Sequence, residues 1–105
     1  MPVGRLDRHK AKELLRRCLD SGRVIPSKHF RDELANENLK LLDAWSVLGE
    51  GNIFNEPEFH AGAQEWNYRI EGHEPGGKWI AIVFSFKAVD AAFLITVFSI
   101  QIRSK

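Results

Sequence analysis

The sequence predicts an α+β fold, with two to three N-terminal helices packed on one face of a three- to five-stranded antiparallel sheet. Three observations carry that prediction. The chain has 105 residues, the length of one domain. Up to Gly51 its apolar residues recur with a helical period, and after Gly51 they alternate. Two turn segments, "HEPGGK" and "KAVDAA", separate three strand-like runs, the pattern of an antiparallel meander.

Leu6 to Gly22 reads as the first helix. Leu6, Leu14, Leu15, Cys18 and Leu19 fall on one side, and Arg8, Lys10, Lys12 and Arg16 fall largely on the other. Asp7 sits near its start, where acid suits the helix dipole, and Gly22 is a natural stop. In "RVIPS", Pro26 forces Ile25 away from helical geometry. Ser27 then stands as the N-cap of a second helix, with Lys28, His29 and Phe30 in its first turn. That helix runs through "HFRDELANEN", burying Phe30 and Leu34, and Asn36 or Asn38 ends it and caps the next. "LKLLDAWSVLGEG" reads as the third helix, ended by Gly49 and Gly51. Leu39, Leu42, Ala44 or Trp45, and Leu48 make its apolar side.

"NIFNEPEFH" fits a short edge strand, because Pro57 argues against a central one. "EWNYRIE" alternates, with Trp66, Tyr68 and Ile70 on one face and Glu65, Asn67, Arg69 and Glu71 on the other. "WIAIVFSF" and "FLITVFSIQI" are apolar on both faces and read as central strands.

The apolar fraction of 44%, with three Trp and seven Phe, can fill a single core. Cys18 is the sole cysteine, which rules out an intrachain disulfide and suits a reducing compartment. No segment reads as a signal peptide. The longest apolar stretch, Trp79–Phe86, is far too short to span a bilayer, so a cytoplasmic protein without membrane contact is expected. The net charge of +1 hides an uneven distribution. Residues 1–31 carry nine Lys/Arg against three Asp/Glu, a net +6; residues 32–76 carry two against ten, a net −8; residues 77–105 carry four against one, a net +3. If the basic parts meet in the fold, they form a positive surface that can hold phosphates; the plainer alternative is a set of solvated helix faces.

The order "SKHFRDEL", "LGEGNIF", "WNYRIEG", a glycine turn, "WIAIVFSF" and "FLITVFSI" resembles a widespread bacterial domain family of unknown function. That family is grouped with toxin components of toxin–antitoxin pairs, near the BrnT and MqsR types and more remotely RelE. The resemblance covers roughly Leu14 to Ile102, and the order and spacing of its short motifs carry it. It implies a RelE-like fold with a curved sheet. It also implies a metal-independent endoribonuclease, without cofactor, held in check by a cognate antitoxin. This chain differs from strongly basic toxins in its near-neutral balance and in placing Phe30 after His29.

Cutting RNA without a metal requires a base for the 2′-hydroxyl, an acid for the leaving oxygen, and cations that neutralise the developing charge. Under the implied activity His29, at a helix N-terminus that attracts anions, is the general base or acid. Arg69 holds the phosphate, and Thr96 and Lys87 help to position it. Lys28 and Arg31, with the basic face of the first helix, guide the RNA backbone. Each residue also has a structural reading: His29 bonding a backbone carbonyl, Arg69 in a cross-strand ion pair, Thr96 as a β-branched strand residue, Lys87 as a turn lysine. Trp45, Trp66 and Trp79 fall on apolar faces or in a buried strand, which favours core packing over base stacking. His9, Glu58, His60 and His73 show no metal-ligand spacing. The function expected is therefore an endoribonuclease toxin with RNA and an antitoxin as partners. The alternative is a non-catalytic module of the same fold that binds nucleic acid or protein. Convergence of His29, Arg69 and Thr96 in one cleft separates the two.

Overall fold

Asp7 begins the first helix in the computed structural model, which describes residues 3–100. Its carboxylate accepts from the Lys10 backbone N–H at 2.8 Å, satisfying one of the orphan donors of α1 (Arg8–Ser21). Ala11, Leu15 and Cys18, at helical spacing, are fully buried on its inner side. Gly22 ends the helix. A Cβ there would collide with the Asp90 carbonyl, to which Arg23 N–H donates at 2.7 Å.

That close approach lets the chain turn directly into a strand, β1 (Arg23–Pro26), which lies parallel to the last strand of the sheet. The sequence had shown only a bend here. Four residues are too few to display an alternation, and the pairing partners are nearly seventy positions away in the sequence. Ser27 caps α2 (Lys28–Asn36) as expected; its hydroxyl accepts from Phe30 N–H at 2.9 Å and donates to the Ile95 carbonyl at 3.1 Å. Phe30 and Leu34 are buried. Asn38 leaves the helix in the left-handed region (φ 59°), which Asn tolerates well. It does not cap the next helix. α3 (Leu41–Glu50) starts after Lys40, whose backbone N–H donates to the Asp43 carboxylate at 2.8 Å. Gly49 lies within α3, and Gly51 ends it.

The strands β2 (Glu58–His60), β3 (Glu65–His73), β4 (Trp79–Ala88) and β5 (Ala91–Ser99) follow. Together with β1 they form one five-stranded sheet in the order β1-β5-β4-β3-β2. The three consecutive strands β3, β4 and β5 are the antiparallel meander read from the sequence, and β2 is the short antiparallel edge. The sheet is mixed, because β1 pairs in parallel. Gln101 and Ile102 of the last strand-like run lie outside the described residues.

Tyr68 and Ile70 of β3 face the helices with Ile80, Ile82 and Phe84 of β4 and Leu94 and Val97 of β5. They share one core with Leu15, Phe30, Leu34 and Val47 from the three helices. The fold is α+β, with the helices on one face of an open sheet. Among the described residues the second face carries no helix. Among the described residues no helix is long and apolar enough to cross a membrane.

Candidate nucleic-acid interface

Strand register decides which expected site residues share a surface. Arg69 pairs with Val83, and Val83 pairs with Thr96. All three therefore point to the helix-free face, with the Arg69 and Thr96 backbones two inter-strand spacings, about 10 Å, apart. The Arg69 guanidinium reaches across β4 to lie 5.2 Å from the centre of the Phe98 ring. Its Nε stands 2.8 Å from Glu71 Oε2, out of line for a hydrogen bond, so the contact is ionic. Glu71 is held from its other oxygen by the Trp79 indole N–H at 3.2 Å.

Lys87 sits on the same face in a matching arrangement. Its Nζ bonds Glu65 at 2.7 Å and lies 4.8 Å from the centre of the Phe93 ring. Arg69 and Lys87 are thus each tied to a carboxylate and laid over an aromatic ring. Between the two sets the Ser85 hydroxyl is fully buried with no hydrogen-bond partner among the described residues. The groove that Arg69 lines, about 160 Å³, contains Asn55, Glu56, Glu58, Asn67, Tyr68 and Val83, and neither His29 nor Thr96.

His29 belongs to the other layer. It is exposed in the first turn of α2, whose neighbouring residue Phe30 is buried in the helix-side core. The structure therefore brings Arg69, Lys87 and Thr96 to one face and places His29, exposed, on a helix of the other layer. Lys28 and Arg31 are exposed beside it, Lys28 paired with Asp32 at 3.0 Å.

The outer side of α1 is organised differently. Arg8, Lys12 and Arg16 stand one above another at four-residue spacing. Arg8 donates to the Phe54 carbonyl at 2.8 Å, Lys12 to Asn52 Oδ1 at 2.8 Å, and Arg16 to the Gly49 carbonyl at 3.2 Å. These acceptors are neutral. They orient the cations without cancelling their charge, and each head group keeps further donors. Glu56 is the carboxylate that packing adds at the upper end, 2.7 Å from Arg5 and 3.4 Å from Arg8. Residues 5–17 hold six Lys/Arg against two Asp/Glu, and with Glu50 and Glu56 of the facing loop the surface remains at net +2. An open groove of about 370 Å³ runs between this helix face and the loop, lined by Arg8, His9, Lys12, Asn52, Ile53 and Glu56 with Asp7.

The helical stripe was visible in the sequence as the polar side of α1. Its acceptors were not, because Gly49, Asn52 and Phe54 come to it only through tertiary packing more than thirty residues away. Nor was the ring cluster at its upper end. The Arg5 guanidinium lies 5.6 Å from the centre of the Trp66 ring, and Trp66 packs against Phe59 with centroids 5.0 Å apart.

No protein-family model, no curated protein and no solved structure matches this chain.

Proposed function

We propose that this protein is a non-catalytic nucleic-acid-binding module whose contact surface is the outer side of α1 with the loop from Gly49 to Glu56. One observation carries this reading: Arg8, Lys12 and Arg16 form a row of cations, Lys12 half-buried and the other two exposed, each aimed by a neutral acceptor, with Arg8 also facing the Glu56 carboxylate. Lys12 and Arg16, which have no carboxylate within ion-pair distance among the described residues, are free to replace the counterions of a phosphate backbone. The cations of the bare sheet face are not, since Glu65 and Glu71 hold them. A local row of a few phosphate contacts corresponds to sequence-independent binding with a dissociation constant on the order of 10⁻⁵ M at moderate salt.

The test is fluorescence anisotropy with a labelled oligonucleotide at low and at raised salt. Binding that weakens steeply with salt, and that is lost in Lys12→Glu/Arg16→Glu while the circular dichroism spectrum is kept, supports the module. Absence of binding at low salt and tens of micromolar protein rejects it.

The endoribonuclease implied by the family resemblance rests on a different observation, the exposed His29 at the start of α2 between Lys28 and the buried Phe30. Incubation of the same preparation with RNA tests it directly. Under the module reading the RNA is bound and recovered intact, with or without an antitoxin present.

A further inference from the structure

The row of cations does not end in solvent. From Arg16 it runs up α1 through Lys12 to Arg8, over about 12 Å at the helical rise. Glu56 joins Arg8 to Arg5, Arg5 lies over Trp66, and Trp66 packs against Phe59. The terminal ring, Phe59, is 52% exposed, although it belongs to a strand and packs against Trp66. Phe54, whose carbonyl receives Arg8, is exposed by 49%. Two half-exposed phenylalanines at the end of a basic row are costly in water, since a large apolar ring gains free energy when covered.

From this continuity we infer that the occupant of the surface is a single-stranded nucleic acid, whose backbone follows Arg16, Lys12 and Arg8 and whose unpaired base stacks on Phe59. The inference rests on the nucleic-acid-binding reading above and specifies its substrate. Charge complementarity selects a polyanion, and the exposed ring selects one that carries free π faces. A duplex keeps its bases stacked inside and offers phosphates alone, so it can use the cations and not the ring. A sugar–phosphate strand without bases is limited in the same way. Trp66 has its face covered by Arg5, so it supports Phe59 from beneath and is not itself the platform. Phe59 lies at the sheet edge formed by β2, where a strand can pass without meeting the body of the domain.

The experiment compares labelled strands of about 12 nucleotides, a length within the range of single-strand sites. The probes are oligo(U), oligo(dT), a duplex of equal length, and an abasic strand of equal phosphate number. Expected results are affinities for oligo(U) and oligo(dT) about tenfold above those for the duplex and the abasic strand. Phe59→Leu, which keeps apolar bulk, brings the single strands down to the level of the abasic strand, and Phe59→Tyr, which keeps the ring, retains binding. Tighter oligo(U) than oligo(dT) adds a preference for RNA within the same site.

Equal binding of all four probes, unmoved by Phe59→Leu and still lost in Lys12→Glu/Arg16→Glu, overturns the stacking inference and leaves the basic module standing. No binding of any probe at low salt overturns both. Binding that survives Lys12→Glu/Arg16→Glu also overturns both, because the contact surface then lies elsewhere.

Discussion

The two surfaces that carry cations use the same residue types to opposite effect. On the bare sheet face Arg69 and Lys87 are each closed into a set of cation, carboxylate and ring, Arg69 with Glu71 and Phe98, Lys87 with Glu65 and Phe93. On α1 the row Arg8, Lys12 and Arg16 is fixed by two backbone carbonyls and an amide oxygen, and Arg8 alone of the three also faces a carboxylate, Glu56 at 3.4 Å. A carboxylate partner satisfies the charge as well as the donors, while a neutral acceptor satisfies geometry alone. What a cation can do for a phosphate is thus decided by its neighbours, not by its being Arg or Lys. Both surfaces are screened by the same salt, so the difference between them persists at any ionic strength at which binding is measurable.

The strongest way to break this comparison is to reverse the row. Lys12→Glu with Arg16→Glu changes the local charge by four units. It should weaken nucleic-acid binding by on the order of 100-fold at low salt. The matched pair Arg69→Ala and Lys87→Ala should change it by less than about twofold. The salt dependence sharpens the same point. Three phosphate contacts give a slope of log affinity against log salt of about −2 for a single strand, and each row cation removed should flatten it. Equal losses in the two double variants would show that the carboxylates on the sheet do not neutralise their partners.

Next in size is Ser27→Ala. This hydroxyl both caps α2 and donates to Ile95, joining the helix start to β5 at the point where β5 pairs irregularly with β4. Loss of a cap costs about 1 kcal/mol, and the stranded Ile95 carbonyl adds to it. Denaturant unfolding should show a destabilisation of about 1–2 kcal/mol, with binding to α1 unchanged.

The inner side of α1 and the core behind it respond to alkali. Burial pushes the Cys18 thiol up, with the Asp90 carboxylate adding to the effect and Arg17 opposing it. Burial likewise raises Tyr68, against the hydrogen bond from Leu6 N–H and the charge of Arg5. Both groups are neutral when protonated and hold their protons longer in the folded state. Their contribution is complete below the unfolded-state values and is lost as pH rises through the folded ones. Stability should therefore fall from about pH 8.5 upward, first through the thiol and then through the phenol. Cys18→Ala should move the onset toward the tyrosine range, read as urea midpoints across a pH series.

A smaller effect tests the sheet face from the opposite direction. Glu71→Gln keeps an acceptor for Trp79 Nε1 and removes the charge that faces Arg69. The pair is partly exposed, with side chains at 37% and 14%, so its loss should cost less than about 1 kcal/mol. Combined with Glu65→Gln it should release two cations and raise the affinity for nucleic acid by a few-fold. The sheet face would then present cations without carboxylate partners, as Lys12 and Arg16 do on α1.

Much of this architecture was legible in the sequence because local chemistry encodes it. Asp7, Ser27 and Gly22 mark helix ends through bonds to residues a few positions away. Trp66, Tyr68 and Ile70 announce the inner face of β3 by alternation alone. β1 was not legible, since its four residues become a strand only by pairing with Ala91–Leu94. The same limit applied to function. The register that sets Arg69, Val83 and Thr96 in one line follows from strand pairing with residues distant in the sequence. The polar stripe of α1 could be seen, but not the loop that aims it.

The smallest expected effect belongs to the residue that the sequence made most conspicuous. His29 and Ser27 are two positions apart at the same helix start. Ser27 is bonded on both sides, and His29 is exposed. A His→Ala change at an exposed first-turn site away from any cap bond should alter stability by less than about 0.5 kcal/mol. It should leave oligonucleotide affinity unchanged. Induced in a bacterial host, wild type and His29→Ala should give the same growth curve, with folding of both checked by circular dichroism. Growth arrest by wild type that disappears in folded His29→Ala would assign α2 a chemical role that neither side of the sheet supplies to it. Identical curves, together with loss of binding in the α1 double variant, would place the working surface on the first helix and leave "SKHF" as the start of the second.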